Sequence, residues 1–162
     1  MTQLTPRALP RPGRLLPGLA AAAAGGLLTG GFGAWAYYDD TFRPLAHTFG
    51  IWITLVVLLS ARRLWTDAAL RAGTGLGAAV VAFYVGKQVM YGIEYPGMPY
   101  ALNRDELVEW LGLAVLAGAL LGWVFSHVGR ADRAGDLSAG AALGLLLGDA
   151  FRRGWNLSLI HI

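Results

Sequence analysis

The sequence predicts an all-α fold: a polytopic transmembrane helix bundle with five helices present and a sixth expected in the intact protein. Three observations carry this. Of 162 residues, 56% are hydrophobic and 14% charged, whereas a soluble domain carries about 25% charged residues. The apolar residues gather in five runs, most of which approach the ~20 residues needed to cross ~30 Å of hydrocarbon as helix. Period-two alternation is missing, which argues against a membrane barrel and for helices, whose backbone polar groups are satisfied within the segment.

The first run, Leu15 to Tyr38, follows a basic tail over residues 1–14 that bears Arg7, Arg11 and Arg14. It is longer than a signal-peptide core, and Tyr37-Tyr38-Asp39-Asp40 is a poor cleavage site, so it reads as a retained helix. The second run, Leu45 to Ala61, is dense in Ile51, Ile53, Leu55, Val56, Val57, Leu58 and Leu59 with Gly50 as its only glycine, and is expected to face lipid. The third spans Ala68 to Ile93 and the fourth Leu107 to Val128. Between them, Glu94-Tyr95-Pro96-Gly97-Met98-Pro99-Tyr100 has Pro-Gly turn chemistry and forms a short ordered outer cap. The fifth run starts at Leu137 and meets Asp149, so its helix either ends there with a charged cap or continues with charges at depth.

The bundle is assigned to residues 15–156. The last six residues, 157–162, read Leu-Ser-Leu-Ile-His-Ile and resemble a translated sequencing-library adaptor. They are read as a scar, which makes the bundle truncated and accounts for the odd helix count.

The cations set the orientation. Arg7, Arg11, Arg14, Arg62, Arg63, Arg71, Arg130 and Arg133 fall on one side; Arg43, Lys87, Arg104, Arg152 and Arg153 lie on the other side or within spans. The richer side is cytoplasmic, so the expected location is a bacterial cytoplasmic (inner) membrane, multi-pass, with the N-terminus inside. Trp35, Tyr37, Tyr38, Tyr91, Tyr95, Tyr100 and Trp110 lie near the outer boundary, where such rings anchor helices at headgroup depth. The cations are scattered rather than massed in a stripe, so no nucleic-acid partner is expected.

Small residues recur four apart: Gly26 and Gly30, Gly73 and Gly77, Gly118 and Gly122, and the ladder Gly140, Gly144, Gly148. Lipid tails are as apolar as Leu, so helices associate through close backbone approach, and these faces are expected to form the tight centre of the bundle. Odd-numbered helices are small-residue-rich and rise from an Arg-bearing end, a faint hairpin repeat of the kind transporter folds contain.

Lys87 is the sharpest single residue. It lies six residues before Ile93 in an apolar run, and a charge at the bilayer centre costs at least ~2.5 to 3.5 kcal/mol. Its stem can snorkel outward and relieve part of that. Lys87, Gln88, Glu109 and Asp149 are expected to cluster in the outer half of the bundle as a binding site, with Arg152 and Arg153 available to Asp149 along its own helix.

No cofactor, metal site or catalytic residue is expected, and the chain is read as no enzyme. His-Glu-x-x-His, Gly-x-Ser-x-Gly and Walker A patterns are missing from the sequence, Cys is absent, and His47 and His127 fall near opposite ends of the bundle.

The stretch Gly144-Leu-Leu-Leu-Gly-Asp149-Ala-Phe-Arg-Arg-Gly-Trp155, the small-residue third helix with Phe83-Tyr84, and the Gly- and Trp-bearing fourth helix together resemble uncharacterised actinobacterial integral membrane proteins of about six spans, grouped as a domain of unknown function. The resemblance covers most of Leu15 to Trp155 and implies a fold and a location but no activity. Two function classes follow: a small-molecule binding or transport component with Lys87, Glu109 and Asp149 lining a cavity, or a structural protein that binds a membrane partner or a second copy and uses its charges to lock helix register. A water-reachable cavity favours the first; a solid core with paired charges favours the second. The lipid bilayer is a partner in either.

Overall fold

A computed structural model describes the backbone of residues 12–159 and the side chains of residues 15–153. Residues 1–11 of the basic tail, and 160–162 of the adaptor-like segment, lie outside these. Six helices and no strand occur among the described residues: α1 (Pro12–Tyr38), α2 (Arg43–Ala46), α3 (Gly50–Ser60), α4 (Trp65–Glu94), α5 (Arg104–Phe125) and α6 (Arg133–Leu159). Of these, α1, α4 and α5 are long and apolar enough to cross a membrane.

The second apolar run departs from expectation. It is not one spanning helix but two pieces, α2 and α3, separated by His47, Thr48 and Phe49. Pro44 stands in the first turn of α2, where its missing N–H costs nothing. The 11 residues of α3 reach only about 16 Å at 1.5 Å per residue, half of the hydrocarbon thickness. Nor is α3 wholly peripheral: Ile53, Leu55, Val56 and Ser60 are buried, with Val56 fully enclosed, and its exposed face is carried by Thr54 and Leu58. The fifth run continues through its charges, since α6 is unbroken past Asp149.

Helix α4 is the axis of the bundle. It runs parallel to α1, and a Cβ placed on Gly26 or Gly30 would collide with the carbonyl oxygens of Gly75 and Ala79. A Cβ on Gly86 would come within 2.6 Å of Ala34 Cβ, continuing the same seam. On its other side α4 runs antiparallel to α5: Gly118 abuts the backbone of Gly73, and a Cβ on Gly122 would lie 2.7 Å from Ala69 Cα. Such approaches supply the van der Waals contact that holds helices together in lipid.

The remaining glycines behave differently. A Cβ on Gly73, Gly77, Gly140, Gly144 or Gly148 would meet nothing within 4 Å. Gly73 still serves the α4–α5 seam as the surface on which Gly118 sits, but the α6 ladder does not build this bundle. The reason is rotational. Helix α6 buries Ser138, Ala142 and Asp149, and the ladder at 140, 144 and 148 is offset from Ser138 and Ala142 by two residues, or about 200° around the helix.

The apolar core joins four helices through Ile53 and Val56 of α3, Leu76 and Val80 of α4, Phe125 of α5 and Ala142 of α6. At the Arg-rich end, Arg71 of α4 donates through Nε to Asp67 Oδ1 at 2.8 Å; both side chains are mostly buried. Its guanidinium fills the space that a side chain on Gly18 of α1 would need.

Candidate functional site

The opposite end, where α1 and α4 finish and α5 begins, gathers the polar groups. Helix α3 starts there without a side-chain cap from its own Phe49. Its first N–H, on Gly50, donates instead to Thr48 Oγ1 and to Asp149 Oδ2, each at 3.1 Å. The Thr48 hydroxyl in turn donates to Asp149 Oδ2, and Arg152 Nη2 donates to Asp149 Oδ1 at 3.0 Å and to the His47 carbonyl at 3.4 Å. A carboxylate from α6 therefore caps a half-helix, where the N-terminal dipole favours negative charge. The helix break at depth is tolerated because protein groups satisfy its polar atoms.

Lys87 lies seven residues before the end of α4. Its Nζ sits 4.3 Å from the Tyr37 ring centroid and 5.5 Å from that of Phe83, a half-buried cation–π arrangement. Among the described residues it forms no ion pair. Tyr38, on α1, donates its hydroxyl to the Lys87 carbonyl at 3.4 Å and ties the two helix ends together.

Lys87 is the wall shared by two spaces. Inward lies a cavity of about 340 Å³, bounded by His47, Thr48, Trp52, Tyr84, Glu106, Trp110 and Arg152 among others. Outward lies an open vestibule of about 430 Å³, lined by Tyr37, Tyr38, Tyr91, Tyr95, Tyr100 and Met98. Five of the six tyrosines of the chain thus converge on one opening, which goes beyond the headgroup anchoring read from the sequence. Burial first, and then the Glu106 carboxylate and Tyr37, push the Tyr100 phenol above its ordinary pKa, so it stays a neutral O–H donor at the rim. The loop carrying it turns at Pro96-Gly97, with Gly97 at φ +84° and Met98 N–H donating to the Tyr95 carbonyl at 3.2 Å, as a Pro-Gly type II turn requires.

Of the four residues expected to cluster, the structure brings two toward this cavity. Lys87 lines it, and Asp149 stands behind it, holding Thr48 and Arg152. Gln88 and Glu109 are exposed and line neither space. Helix rotation accounts for Gln88, about 100° round from Lys87. Register accounts for Glu109: the pairings of Gly118 with Gly73 and of Gly122 with Ala69 set Lys87 level with the start of α5, more than a turn from Glu109, and of the two carboxylates there, Asp105 and Glu106, it is Glu106 that lines the cavity. Glu106 and Trp110, four apart, share the cavity-facing side of α5. The sequence signal for Glu106 is Asn103 three residues earlier, whose side chain accepts the Glu106 N–H at 3.2 Å and fixes where α5 begins.

His47 stacks on Tyr37 with centroids 5.6 Å apart and directs Nδ1 to the Arg43 carbonyl at 3.0 Å. His127, at the other end of the bundle, is held by Trp123 and Val124 carbonyls. Among the described residues no three His, Cys, Asp or Glu side chains gather as metal ligands.

Fold and site together define a helical membrane protein with a polar, aromatic-walled cavity at one end of a glycine-packed bundle. No family model matches the chain, and no curated protein or solved structure matches it.

Proposed function

We propose that this chain is a small-molecule binding or transport component of a bacterial cytoplasmic membrane. Its N-terminus is cytoplasmic by the positive-inside distribution of Arg, and the vestibule opens on the outer face. The observation that carries the reading is Lys87: a cation in no ion pair among the described residues, common to the walls of a cavity and of the neighbouring vestibule. By contrast Arg71 and Arg152 are each paired with a carboxylate one turn away on their own helix, Asp67 and Asp149. A cavity of a few hundred Å³ with aromatic walls and a few polar groups is the usual form of a small-molecule site.

Because the chain has no Cys, single-cysteine variants test the reading directly. His47→Cys and Trp110→Cys, in the cavity, are expected to react with a membrane-impermeant thiol reagent added to the outside of intact cells, whereas Leu120→Cys on the lipid-facing side of α5 stays unlabelled. Absence of cavity labelling from both sides of the membrane would exclude a water-reachable site. Labelling only in inside-out vesicles would keep the cavity and reverse the orientation.

A further inference from the structure

The chemistry of the solute rests on the reading above and follows from the charges left over on the cavity wall. Three ionic side chains face the space. Arg152 is satisfied by Asp149 at 3.0 Å, whereas Lys87 and Glu106 take part in no ion pair among the described residues. Lys87 is half-buried between Tyr37 and Phe83. Glu106 sits on the exposed rim in the first turn of α5, where the helix N-terminus favours the ionised carboxylate. The wall therefore offers one cation and one anion, neither of them in an ion pair among the described residues, with Lys87 resting on ring faces and the Tyr84 hydroxyl beside Glu106.

The floor supplies the second half of the argument. Phe49, Trp52, Val80 and Trp110 border both the polar cavity and a deeper recess of about 130 Å³. That recess is lined by aliphatic residues such as Leu76 and Leu121 and offers no charged side chain. From these two features we infer that the solute is a zwitterion with an apolar side chain, an α-amino acid of the leucine or phenylalanine kind. Its carboxylate meets Lys87, its ammonium meets Glu106, and its side chain enters the recess. A simple organic anion would satisfy Lys87 and be repelled by Glu106; a simple organic cation would face the reverse. Because Lys87 is the more desolvated of the two, it supplies affinity, and the wetter Glu106 supplies discrimination.

The test is isothermal titration of the full chain in neutral phospholipid nanodiscs with L-phenylalanine, 3-phenylpropionate and 2-phenylethylamine. L-Phenylalanine is expected to bind about tenfold or more tighter than either analogue, a difference of ~1.4 kcal/mol. Glu106→Gln is expected to erase its advantage over 3-phenylpropionate, and Lys87→Met to weaken both carboxylates about tenfold or more. Thermal melting of each variant separates a lost site from a lost fold, and Lys87→Arg retains carboxylate binding. If 3-phenylpropionate binds the wild type as tightly as L-phenylalanine, or Glu106→Gln changes nothing, the zwitterion is wrong and the solute cavity stands. If none of the three gives a saturable titration, the zwitterion is again wrong, and thiol labelling of the cavity, which needs no ligand, decides the broader reading independently.

Discussion

The Asp149 carboxylate accepts the backbone N–H of Gly50 at 3.1 Å across 99 residues of sequence, so that α6 caps the half-helix α3. Three groups converge on this one side chain: the Gly50 N–H, the Thr48 hydroxyl and the Arg152 guanidinium. Asp149 is 8% exposed, and a buried group stranded without its partner costs more than the pair gains in forming.

Removing that carboxylate is expected to loosen α3. Asp149→Ala should lower the stability of the detergent-solubilised protein by about 2–4 kcal/mol, below the full cost of breaking a buried pair because Arg152 remains half in solvent. Asp149→Asn keeps an acceptor for Gly50 and should lose about half as much. Thr48→Ala removes one cap member and should cost ~1 kcal/mol. Chemical denaturation followed by tryptophan fluorescence measures all three. Equal stabilities for Asp149→Ala and wild type would mean that the cap carries no weight.

The fold class and most helix limits were legible because hydrophobic run length is a direct physical requirement of the bilayer. The α1 and α4 runs lie within three residues of the observed helices. The broken second run was not legible, because what ends α3 at Gly50 is a carboxylate 99 residues away, and composition alone reads Leu45 to Ala61 as continuous. The site was half legible. Lys87 and Asp149 stand out as charges in apolar runs, but choosing Glu106 over Glu109 needs the α4–α5 register, which depends on how Gly118 and Gly122 seat on Gly73 and Ala69.

Glycines that look alike in sequence should respond differently. Gly30→Ala places a methyl group against the Ala79 carbonyl, where neighbouring backbone has no room to yield, and should cost about 1–3 kcal/mol as overpacking does. Gly144→Ala meets nothing within 4 Å and should be neutral or stabilising by up to about 1 kcal/mol through helix propensity. Paired thermal melts of the two variants give the comparison. A destabilised Gly144→Ala would show that the α6 ladder is packed against something in the membrane.

Lys87 should show the opposed demands of stability and binding. Its ammonium is held by ring faces rather than a carboxylate. Cation–π contact returns about 0.5–2 kcal/mol, against at least ~2.5 kcal/mol for a charge at the centre of the bilayer and less near its edge. These terms nearly cancel at the depth Lys87 occupies, seven residues from the end of α4. Lys87→Met, similar in length and uncharged, should therefore keep the melting temperature of the wild type or raise it, while solute binding weakens about tenfold or more. Thermal melts in the absence of ligand, set beside titrations on the same preparations, measure both effects. A Lys87→Met variant that is destabilised by several kcal/mol would assign the ammonium to holding the fold, and the cavity would then need another residue to hold its solute.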